Sequence, residues 1–398
     1  MRLLGGVIPR RSAPGATASD GLLFRLAMLW LAGSNLRLTV LAVPPVLPLI
    51  HRQFALSERA VGALSGLPVL LFGLAAIPGS LLIAHLGARR AAIAGLLLVA
   101  AASAMRGAGP SAPMLFAMTF AMAAGVAVVQ PALPALVGLW FPRRPGFATA
   151  VYANGLLIGE ALPAALTIPL VLPLVGGAWP ASFAVWAVPV AGTALLLALY
   201  PSSASPAPAP ARWWPDWRRR ETWQLGLMQG ATGGLYFASN ALIPDYLHAI
   251  GRPDLVTAGL SALNLGQLPA SLLLLLWARR LGGNKGVVVG MQLVGLAGIA
   301  ALLAGGPWLA VGGAGVIGFC CAFTLIVTLA LPPQMVAAGD VHRLSAGMFT
   351  IGYTFSCLIP LAGGAIWDAT GLPASAFIAP AAAAAIVLAT ALAFRFPS

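Results

Sequence analysis

The chain carries little charge and almost no lysine. Only 8% of its 398 residues are charged, against about 25% in an ordinary soluble domain, and Lys285 is its single lysine. By contrast, 60% of the residues are hydrophobic and the mean hydropathy is +0.93. A soluble globule of this size could not bury so much apolar surface, which excludes soluble enzymes, nucleic-acid-binding proteins and secreted disulfide scaffolds. The composition indicates a polytopic helical membrane protein.

Cysteines and recognisable catalytic motifs are equally scarce. The three cysteines, Cys320, Cys321 and Cys357, all lie in apolar stretches, and we interpret them as small buried side chains. No two histidines or acidic residues have the spacing of a metal site, and the sequence contains no Walker loop, nucleotide fingerprint or Ser/His/Asp arrangement. We therefore predict no metal, no cofactor and no enzymatic activity, and we expect any driving energy to come from a gradient.

Long apolar segments recur along the whole sequence. A bilayer crossing takes about 20 apolar residues, and breaking the chain at its polar and Pro/Gly-rich connections gives twelve candidate spans. The predicted fold class is therefore an all-α membrane protein with twelve transmembrane helices. Prolines inside the spans allow bends where neighbouring groups satisfy the backbone, and they are Pro68, Pro78, Pro131, Pro134, Pro163, Pro189, Pro269 and Pro360. Spans 1 to 12 are predicted at residues 22–50, 58–83, 91–107, 113–139, 147–175, 181–200, 223–250, 255–278, 286–304, 307–331, 344–365 and 373–395.

The longest connection divides the spans into two sets of six. Its first part is rich in Pro, Ala and Ser and should be extended, whereas its second part places Trp beside Arg, as at a membrane interface. The predicted organisation is a cytoplasmic N-terminal tail at 1–21, a six-helix bundle at 22–200, a cytoplasmic linker at 201–222 and a second six-helix bundle at 223–398.

The basic residues are distributed unevenly between the two sides of the predicted membrane. With the N-terminus placed in the cytoplasm, 17 of the 22 basic residues fall on the cytoplasmic side and Arg37 lies within a span. Only Arg52, Arg59, Arg106 and Arg252 fall on the outer side. This asymmetry predicts a multi-pass protein of the plasma (inner) membrane with both termini cytoplasmic. It also accounts for the pI of about 11.3 without a nucleic-acid partner.

The two halves of the chain repeat each other weakly. A shift of 196 residues brings Pro48 onto Pro244, and a shift of 197 residues brings Gly155 onto Gly352. These matches place spans of the first half onto spans of the second half in the same order. Two parallel six-helix repeats, related by an axis along the membrane normal, are typical of transporters in which two bundles rock about a central site.

The connection after span 2 resembles the loop motif of the major facilitator superfamily, Gly-x-x-x-Asp-Arg-x-Gly-Arg-Arg. Residues 80–90 read SLLIAHLGARR, so that Gly87 and one or both of the arginines after it match, whereas Ala84 and His85 stand in place of the Asp and the Arg. The resemblance covers residues 22–397. It implies the twelve-helix fold of two pseudo-repeats and a secondary transporter that works by alternating access.

A closer resemblance is to the cyanate and 2-nitroimidazole porter branch of this superfamily. It is carried by the segments Asn-Leu-Arg at 35–37, Gly-Leu-Pro-Val at 66–69 and Trp-Phe-Pro at 140–142. The resemblance implies that the substrate is a small anion or a small polar heteroaromatic compound.

Arg37 is the one basic residue far from both ends of a predicted span. An unpaired charge at that depth costs several kcal/mol, so it must face a polar cavity, a counter-ion or a ligand. Because a guanidinium can hold a planar anion with two parallel hydrogen bonds, we predict that Arg37 binds substrate. The alternatives are a permanent Arg–Glu pair that joins two helices and an arginine that extends to the membrane surface.

Glu160 is the only acidic residue well inside an apolar span. We predict that it is a counter-ion for Arg37 and a proton carrier. An incoming anion would then displace Glu160 from Arg37, and the free carboxylate would take up a proton, which would give anion–proton symport. The alternatives are a fixed structural pair and a carboxyl group that stays protonated.

Other polar side chains lie in spans that line or flank the cavity in this superfamily. Any of them can bind substrate or bond helices together, and Tyr236 and Asn240, four residues apart, share one helix face. We rank Arg37, Gln130, Tyr236 and Asn240 first, because they lie in cavity-lining spans. The further candidates for substrate binding are Asn35, Tyr152, Asn154, Asn264, Gln267 and Tyr353.

The leading hypothesis is a secondary transporter that moves a small anion such as cyanate by alternating access with proton coupling. The alternative is proton-coupled efflux of small neutral or cationic drugs such as nitroimidazoles. A membrane receptor or sensor is a third class, against which the lack of a sizeable soluble domain argues. The expected partners are the small-molecule substrate, the lipid bilayer and a coupling proton, and twelve spans that form one complete carrier predict a functional monomer.

Overall fold

Helices make up all the regular structure of the described residues in the computed structural model, which confirms the predicted all-α fold class. Most of the predicted N-terminal tail, at 1–15, and the first half of the predicted linker, at 201–211, lie outside the described residues. The structure describes residues 16–55, 64, 68–109, 111–200, 212–281, 284–304 and 306–397.

The helices follow the order of the predicted spans, and spans 1, 2 and 8 are each divided into two helices. Helix α1 begins inside the region that the sequence predicts as a tail. The helices are α1 (Ala16–Leu38) and α2 (Leu47–Phe54) in span 1, α3 (Pro68–Leu74) and α4 (Ala76–Leu86) in span 2, α5 (Ala88–Met105), α6 (Ala112–Trp140), α7 (Pro145–Leu166) and α8 (Trp179–Leu199) in spans 3 to 6, α9 (Arg220–Ala249) in span 7, α10 (Val256–Leu265) and α11 (Gln267–Leu281) in span 8, and α12 (Lys285–Leu303), α13 (Pro307–Ala330), α14 (Val341–Thr370) and α15 (Ile378–Ala393) in spans 9 to 12.

Most of these helices can cross a membrane. Among the described residues, nine helices are long and apolar enough to do so, and α3 with α4, bent by 50°, would make a tenth. The other two predicted spans contain α1 and α9, which are 23 and 30 residues long. These two helices carry Arg37, Tyr236 and Asn240, and such polar side chains lower the hydropathy of a helix that lines a cavity.

Span 1 is broken rather than continuous over 22–50. Helix α1 ends at Leu38, residues 39–43 form turns, and a 3-10 turn at Pro44–Val46 leads into α2. The prolines at 44 and 45 have no N–H and cannot donate to the carbonyls four residues earlier. Span 1 therefore consists of two helices, and Arg37, near the middle of the predicted span, lies in the last turn of α1.

Prolines also deform three other spans. The bend between α3 and α4 lies at Ala75, three residues before Pro78, and the break between α10 and α11 lies at Gly266, three residues before Pro269. Helix α7 continues as a π-helix over Thr167–Val171, which contains Pro169. The bend near Pro78 is therefore present, and the helix of span 8 is interrupted before Pro269. By contrast, α6, α7, α8 and α14 continue as helices through their internal prolines. Irregular backbone at membrane depth is tolerated where it is buried in protein or lines a cavity.

Two helix pairs, α1 with α7 and α9 with α14, approach each other closely at glycines. A Cβ atom added to Gly155 would lie under 3.0 Å from the carbonyl oxygen of Trp30, a separation that real Cβ atoms essentially never show. A Cβ atom added to Gly352 would collide with the end of the Gln229 side chain, and one added to Gly230 would lie under 3.0 Å from the carbonyl oxygen of Gly352. Gly155 and Gly352 are a matched pair of the sequence repeat, so the two halves use the same position for a close helix contact.

The packing of α1 on α7 can be tested at a second glycine of this contact. A Cβ atom added to Gly159 would lie under 3.0 Å from the carbonyl oxygen of Ser34, whereas nothing lies within 4 Å of a Cβ atom added to Gly192 in α8. We expect Gly159→Ala to force the helices apart and to lower the free energy of unfolding by roughly 1–3 kcal/mol, as overpacking does. Thermal unfolding in detergent measures the effect, and Gly192→Ala is the matched control. Equal unfolding midpoints for the two variants would contradict this account of the packing.

Candidate functional site

The two ionisable residues that the sequence places deep within spans form an ion pair. Nε of Arg37 lies 3.2 Å from Oε1 of Glu160, and the two side chains are 10% and 20% exposed. Arg37 lies in the last turn of α1, and the glycine contacts between α1 and α7 bring Glu160 beside it. A cation at the end of a helix also meets the partial negative charge of the last carbonyl groups.

A tyrosine from the second half completes the contacts of Arg37. Nη2 of Arg37 donates to the hydroxyl of Tyr353 at 3.3 Å, and this hydroxyl donates to Oε1 of Gln130 at 2.7 Å. The ring centre of Phe72 lies 5.4 Å from the guanidinium carbon of Arg37, within the range of a cation–π contact. Because Arg37 and Gln130 belong to the first half and Tyr353 to the second, this network joins the halves at the centre of the protein.

A small pocket of about 50 Å³ adjoins this network. Its lining includes Gln130, Tyr152 and Gln229. Within the described part of the chain, Nε2 of Gln130, the hydroxyl of Tyr152 and Oε1 of Gln229 are buried without a hydrogen-bond partner. Buried polar groups in proteins are almost always hydrogen-bonded, so these three atoms suit a polar ligand or water.

Side chains of the second half form a polar cluster that extends from this pocket into a neighbouring, larger cavity. The hydroxyl of Tyr236 donates to Oδ1 of Asn264 at 2.6 Å, and Nδ2 of Asn264 donates to Oδ1 of Asn240 at 3.1 Å. Gln267 also lines the cavity, on the other side of the helix break at Gly266. The second half thus contributes neutral donors and acceptors, whereas the first half contributes the charges.

A larger cavity of about 1,240 Å³ extends from the ion pair toward the side of the protein remote from the chain termini. It is lined by the ends of α1 and α7, the beginnings of α3 and α6, helix α10, and the later halves of α9 and α14. Because successive spans run in opposite directions, these segments all lie on one side. Arg37, Glu160, Asn240 and Asn264 are polar groups in its largely apolar wall.

Hydrogen bonds join the two halves on the other side of the ion pair, toward the chain termini. Nδ2 of Asn154 donates to Oγ of Ser271 at 2.9 Å, which connects α7 to α11. Oγ1 of Thr350 donates to the carbonyl oxygen of Gly73 at 2.9 Å, which connects α14 to α3. The ion pair therefore lies between a large cavity on one side and a bonded contact of the two halves on the other.

Eight of the ten predicted substrate-binding residues line one or both cavities, and Asn35 and Asn154 do not. Nδ2 of Asn35 donates to Oγ1 of Thr193 in α8 at 2.8 Å, and Asn154 contacts Ser271. These two asparagines connect helices. The eight lining residues are Arg37, Gln130, Tyr152, Tyr236, Asn240, Asn264, Gln267 and Tyr353.

Two further polar residues of the small pocket, Gln229 and Thr232, are missing from the sequence predictions. Together with Tyr236 and Asn240 they follow a spacing of three, four and four residues along α9, which places all four side chains on one helix face. That periodicity is present in the sequence and could have identified them. Among the described residues, no group of three or more His, Cys, Asp or Glu side chains is placed to hold a metal ion.

Comparison with known proteins places the chain among membrane transporters. It is 29% identical over 363 residues to the cyanate transport protein CynX of Escherichia coli (strain K12), covering 87% of this chain and 90% of that protein. It is 26% identical over 371 residues to the 2-nitroimidazole transporter of the same organism, covering 87% of this chain and 88% of that protein. These similarities confirm the predicted resemblance to the cyanate and 2-nitroimidazole branch.

Similar solved structures confirm the predicted fold. The outward conformation of FucP, a fucose:proton symporter of E. coli, superposes with a TM-score of 0.72 at 19% identity, covering 94% of this chain and 98% of that chain. At this identity the likeness shows the fold alone, which is the twelve-helix, two-domain arrangement of this class of transporter. The family model of the Major Facilitator Superfamily matches residues 29–258, and the chain belongs to that superfamily.

Proposed function

We propose that this chain is a secondary active transporter that moves a small monovalent anion, of the size of cyanate, by alternating access with proton coupling. The observation that carries the proposal is the ion pair of Arg37 and Glu160 at the inner end of a large cavity. In the proposal Arg37 binds the anion, and Glu160 alternates between counter-ion of Arg37 and proton carrier. The similarity to the cyanate transport protein supports this substrate class.

The size of the small pocket favours a ligand of a few atoms. One water molecule needs about 10–15 Å³ of cavity volume measured in this way. The pocket of about 50 Å³ therefore has room for a few water molecules or for a three-atom anion. A nitroimidazole ring would require the pocket to widen into the larger cavity.

The polar atoms around the pocket favour an anion. Nε2 of Gln130 and the hydroxyl of Tyr152 are donors without a partner in the described part of the chain. Nε of Arg37 lies at ion-pair distance from Glu160 but does not have the geometry of a hydrogen bond. An anion in the pocket would accept hydrogen bonds from these groups, and charge-assisted hydrogen bonds are about twice as strong as neutral ones.

Charge balance accounts for the proposed coupling. An anion that binds Arg37 takes the place of the Glu160 carboxylate, which would then be an unpaired charge away from bulk water. A proton from the open side binds to a carboxylate oxygen of Glu160 and removes this cost. When the anion leaves on the other side, Glu160 gives the proton to water and pairs with Arg37 again. One proton thus crosses with each anion in the same direction.

The proposal includes an orientation in the membrane. The distribution of basic residues places both chain termini in the cytoplasm and the protein in the plasma (inner) membrane. The cavity of about 1,240 Å³ then faces the outside. The similar structure of FucP is likewise in an outward conformation. Opening of the cytoplasmic side requires the bonds of Asn154, Thr350 and Tyr353 between the halves to break. One chain contains both halves of the site, so we propose a functional monomer.

A second candidate function is proton-coupled efflux of small neutral or cationic drugs such as nitroimidazoles. The larger cavity favours it, because its volume would hold an aromatic ring beside Phe237. The similarity to the 2-nitroimidazole transporter also supports it. In this function Glu160 would exchange protons for drug, and Arg37 would act through its pairing with Glu160.

Uptake of labelled cyanate into proteoliposomes tests the proposed substrate and its coupling. With an inward proton gradient we expect uptake above that of protein-free liposomes, and a fall in uptake when a protonophore collapses the gradient. Glu160→Gln should retain uptake but lose its dependence on the gradient, because the amide cannot carry the proton, whereas the exposed Asp254→Asn should behave as wild type. Uptake that is independent of the proton gradient would contradict the proposed coupling. If the folded protein takes up no cyanate, cyanate is excluded as the substrate and nitroimidazole efflux is favoured.

Arg37→Gln tests the anion-binding residue. Loss of a hydrogen bond made by a charged group costs about 1.5–3 kcal/mol, so we expect cyanate uptake to fall by at least about tenfold. Arg52→Gln, which removes an exposed charge on the side of the large cavity, is the matched control and should transport normally. Size-exclusion chromatography and thermal unfolding establish that the variant is folded. Unchanged uptake by Arg37→Gln would refute this role.

Cys357 reports which side of the membrane the large cavity faces. It lines that cavity and is partly exposed, whereas Cys320 and Cys321 are buried. A membrane-impermeant maleimide added to intact cells should therefore label wild-type protein and leave Cys357→Ser unlabelled. Saturating cyanate should slow the labelling. Labelling from the cytoplasmic side alone would contradict the proposed orientation.

A further inference from the structure

The end of span 3 carries an arginine in surroundings that the sequence does not predict. The sequence places Arg106 at the outer end of span 3, and the structure shows that its side chain is fully buried there, at the end of α5. Among the described residues it takes part in no ion pair, and its Nε and Nη1 have no hydrogen-bond partner. Burial of a charge costs free energy, so we expect the contacts of Arg106 to offset this cost.

The remaining guanidinium nitrogen of Arg106 bonds to the break in span 1. Nη2 of Arg106 donates to the carbonyl oxygen of Thr39 at 2.7 Å and to Oγ of Ser103 at 2.9 Å. In a continuous helix the N–H of Val43 would donate to Thr39, but it donates to the carbonyl of Val40 instead, at 3.5 Å. The break therefore leaves the carbonyl of Thr39 without its helical partner, and Arg106 replaces that partner.

Two contacts hold Arg106 in position. Its guanidinium carbon lies 4.4 Å from the ring centre of Phe183 in α8. The neighbouring Gly107 is so close to the chain at Pro180 that an added Cβ atom would lie under 3.0 Å from the carbonyl oxygen of Pro180. The end of α5 therefore packs against the beginning of α8, and Arg106 connects this contact to the end of α1.

That end of α1 carries the proposed anion-binding residue. Thr39 follows Arg37 by two residues, and Arg37, Val40 and Arg106 all border the large cavity. Without a partner for the Thr39 carbonyl, residues 39–43 would be free to rearrange and the direction of the Arg37 side chain would vary. The positive charge of Arg106 also meets the negative end of the α1 helix dipole.

We propose that Arg106 is a positioning residue for anion binding, which holds the broken end of α1 so that Arg37 is presented to the cavity. The expected effect of Arg106 on transport rests on the proposed function, whereas the expected effect of Arg106 on the structure of span 1 does not. Loss of Arg106 should therefore weaken the apparent affinity for the anion more than the rate at which the loaded carrier turns over.

Concentration-dependent uptake of cyanate by Arg106→Met and Arg106→Lys tests the consequence for transport. Met keeps much of the apolar contact with Phe183 but cannot donate, whereas Lys keeps the charge and a donor. We expect Arg106→Met to raise KM about tenfold, as for the loss of one charged hydrogen bond, with the maximal rate within about twofold of wild type. Arg106→Lys should restore most of the affinity, and the exposed Arg52→Met should match wild type. An unchanged KM, a fall in maximal rate alone, or equal effects of Met and Lys would overturn the proposal.

Hydrogen–deuterium exchange of the same proteins, measured without any substrate, tests the effect on span 1. We expect faster exchange of the amides at 38–46 in Arg106→Met and near-normal exchange in Arg106→Lys. This measurement is decisive even if the wild-type protein does not transport cyanate, so a failure of the proposed substrate is distinguishable from a failure of this inference. If Arg106→Met does not insert, Ser103→Ala, which removes one of the two acceptors of Nη2, should show a smaller change of the same kind. Unchanged exchange at 38–46 would overturn the proposal.

Discussion

The ion pair between Arg37 and Glu160 is the interaction on which the centre of the protein depends. A lone charge at that depth costs several kcal/mol, whereas two paired charges with further hydrogen bonds can persist. The pair requires α1 and α7 to touch, which the glycines at 155 and 159 allow. Tyr353 then joins the second half to the same arginine. The ion pair therefore depends on the close packing of α1 and α7, and its arginine also bonds to the second half of the protein.

The helices and the charged pair could be predicted from the sequence because a bilayer leaves few alternatives. An apolar run of sufficient length must form a helix there, and a charge within it must find a partner. These constraints predict the spans and the pairing of Arg37 with Glu160. The bend near Pro78 and the helix break before Pro269 follow in the same way from a missing N–H. Each of these features depends on local sequence or on a residue type that has few options.

The remaining features depend on how each helix is rotated and where it meets its neighbours. Asn35 bonds to Thr193 and Asn154 to Ser271, away from the cavity, because packing sets the rotation of α1 and α7 about their axes. Hydropathy continues through the prolines after Arg37, so it does not reveal that span 1 is broken. The burial of Arg106 depends on the approach of α5 to α8, and no periodicity in the sequence encodes that approach.

The pairing of the two central charges also determines how the carrier responds to the transmembrane voltage. Moving one elementary charge through about 100 mV changes its energy by about 2.3 kcal/mol. When Arg37 and Glu160 are paired, the empty site has no net charge. When an anion is bound to Arg37 and a proton to Glu160, the loaded site has none either. In the proposed cycle both reorientations are therefore electroneutral at the site, so the resting potential of a cell neither drives the uptake of the anion nor slows the return of the empty carrier.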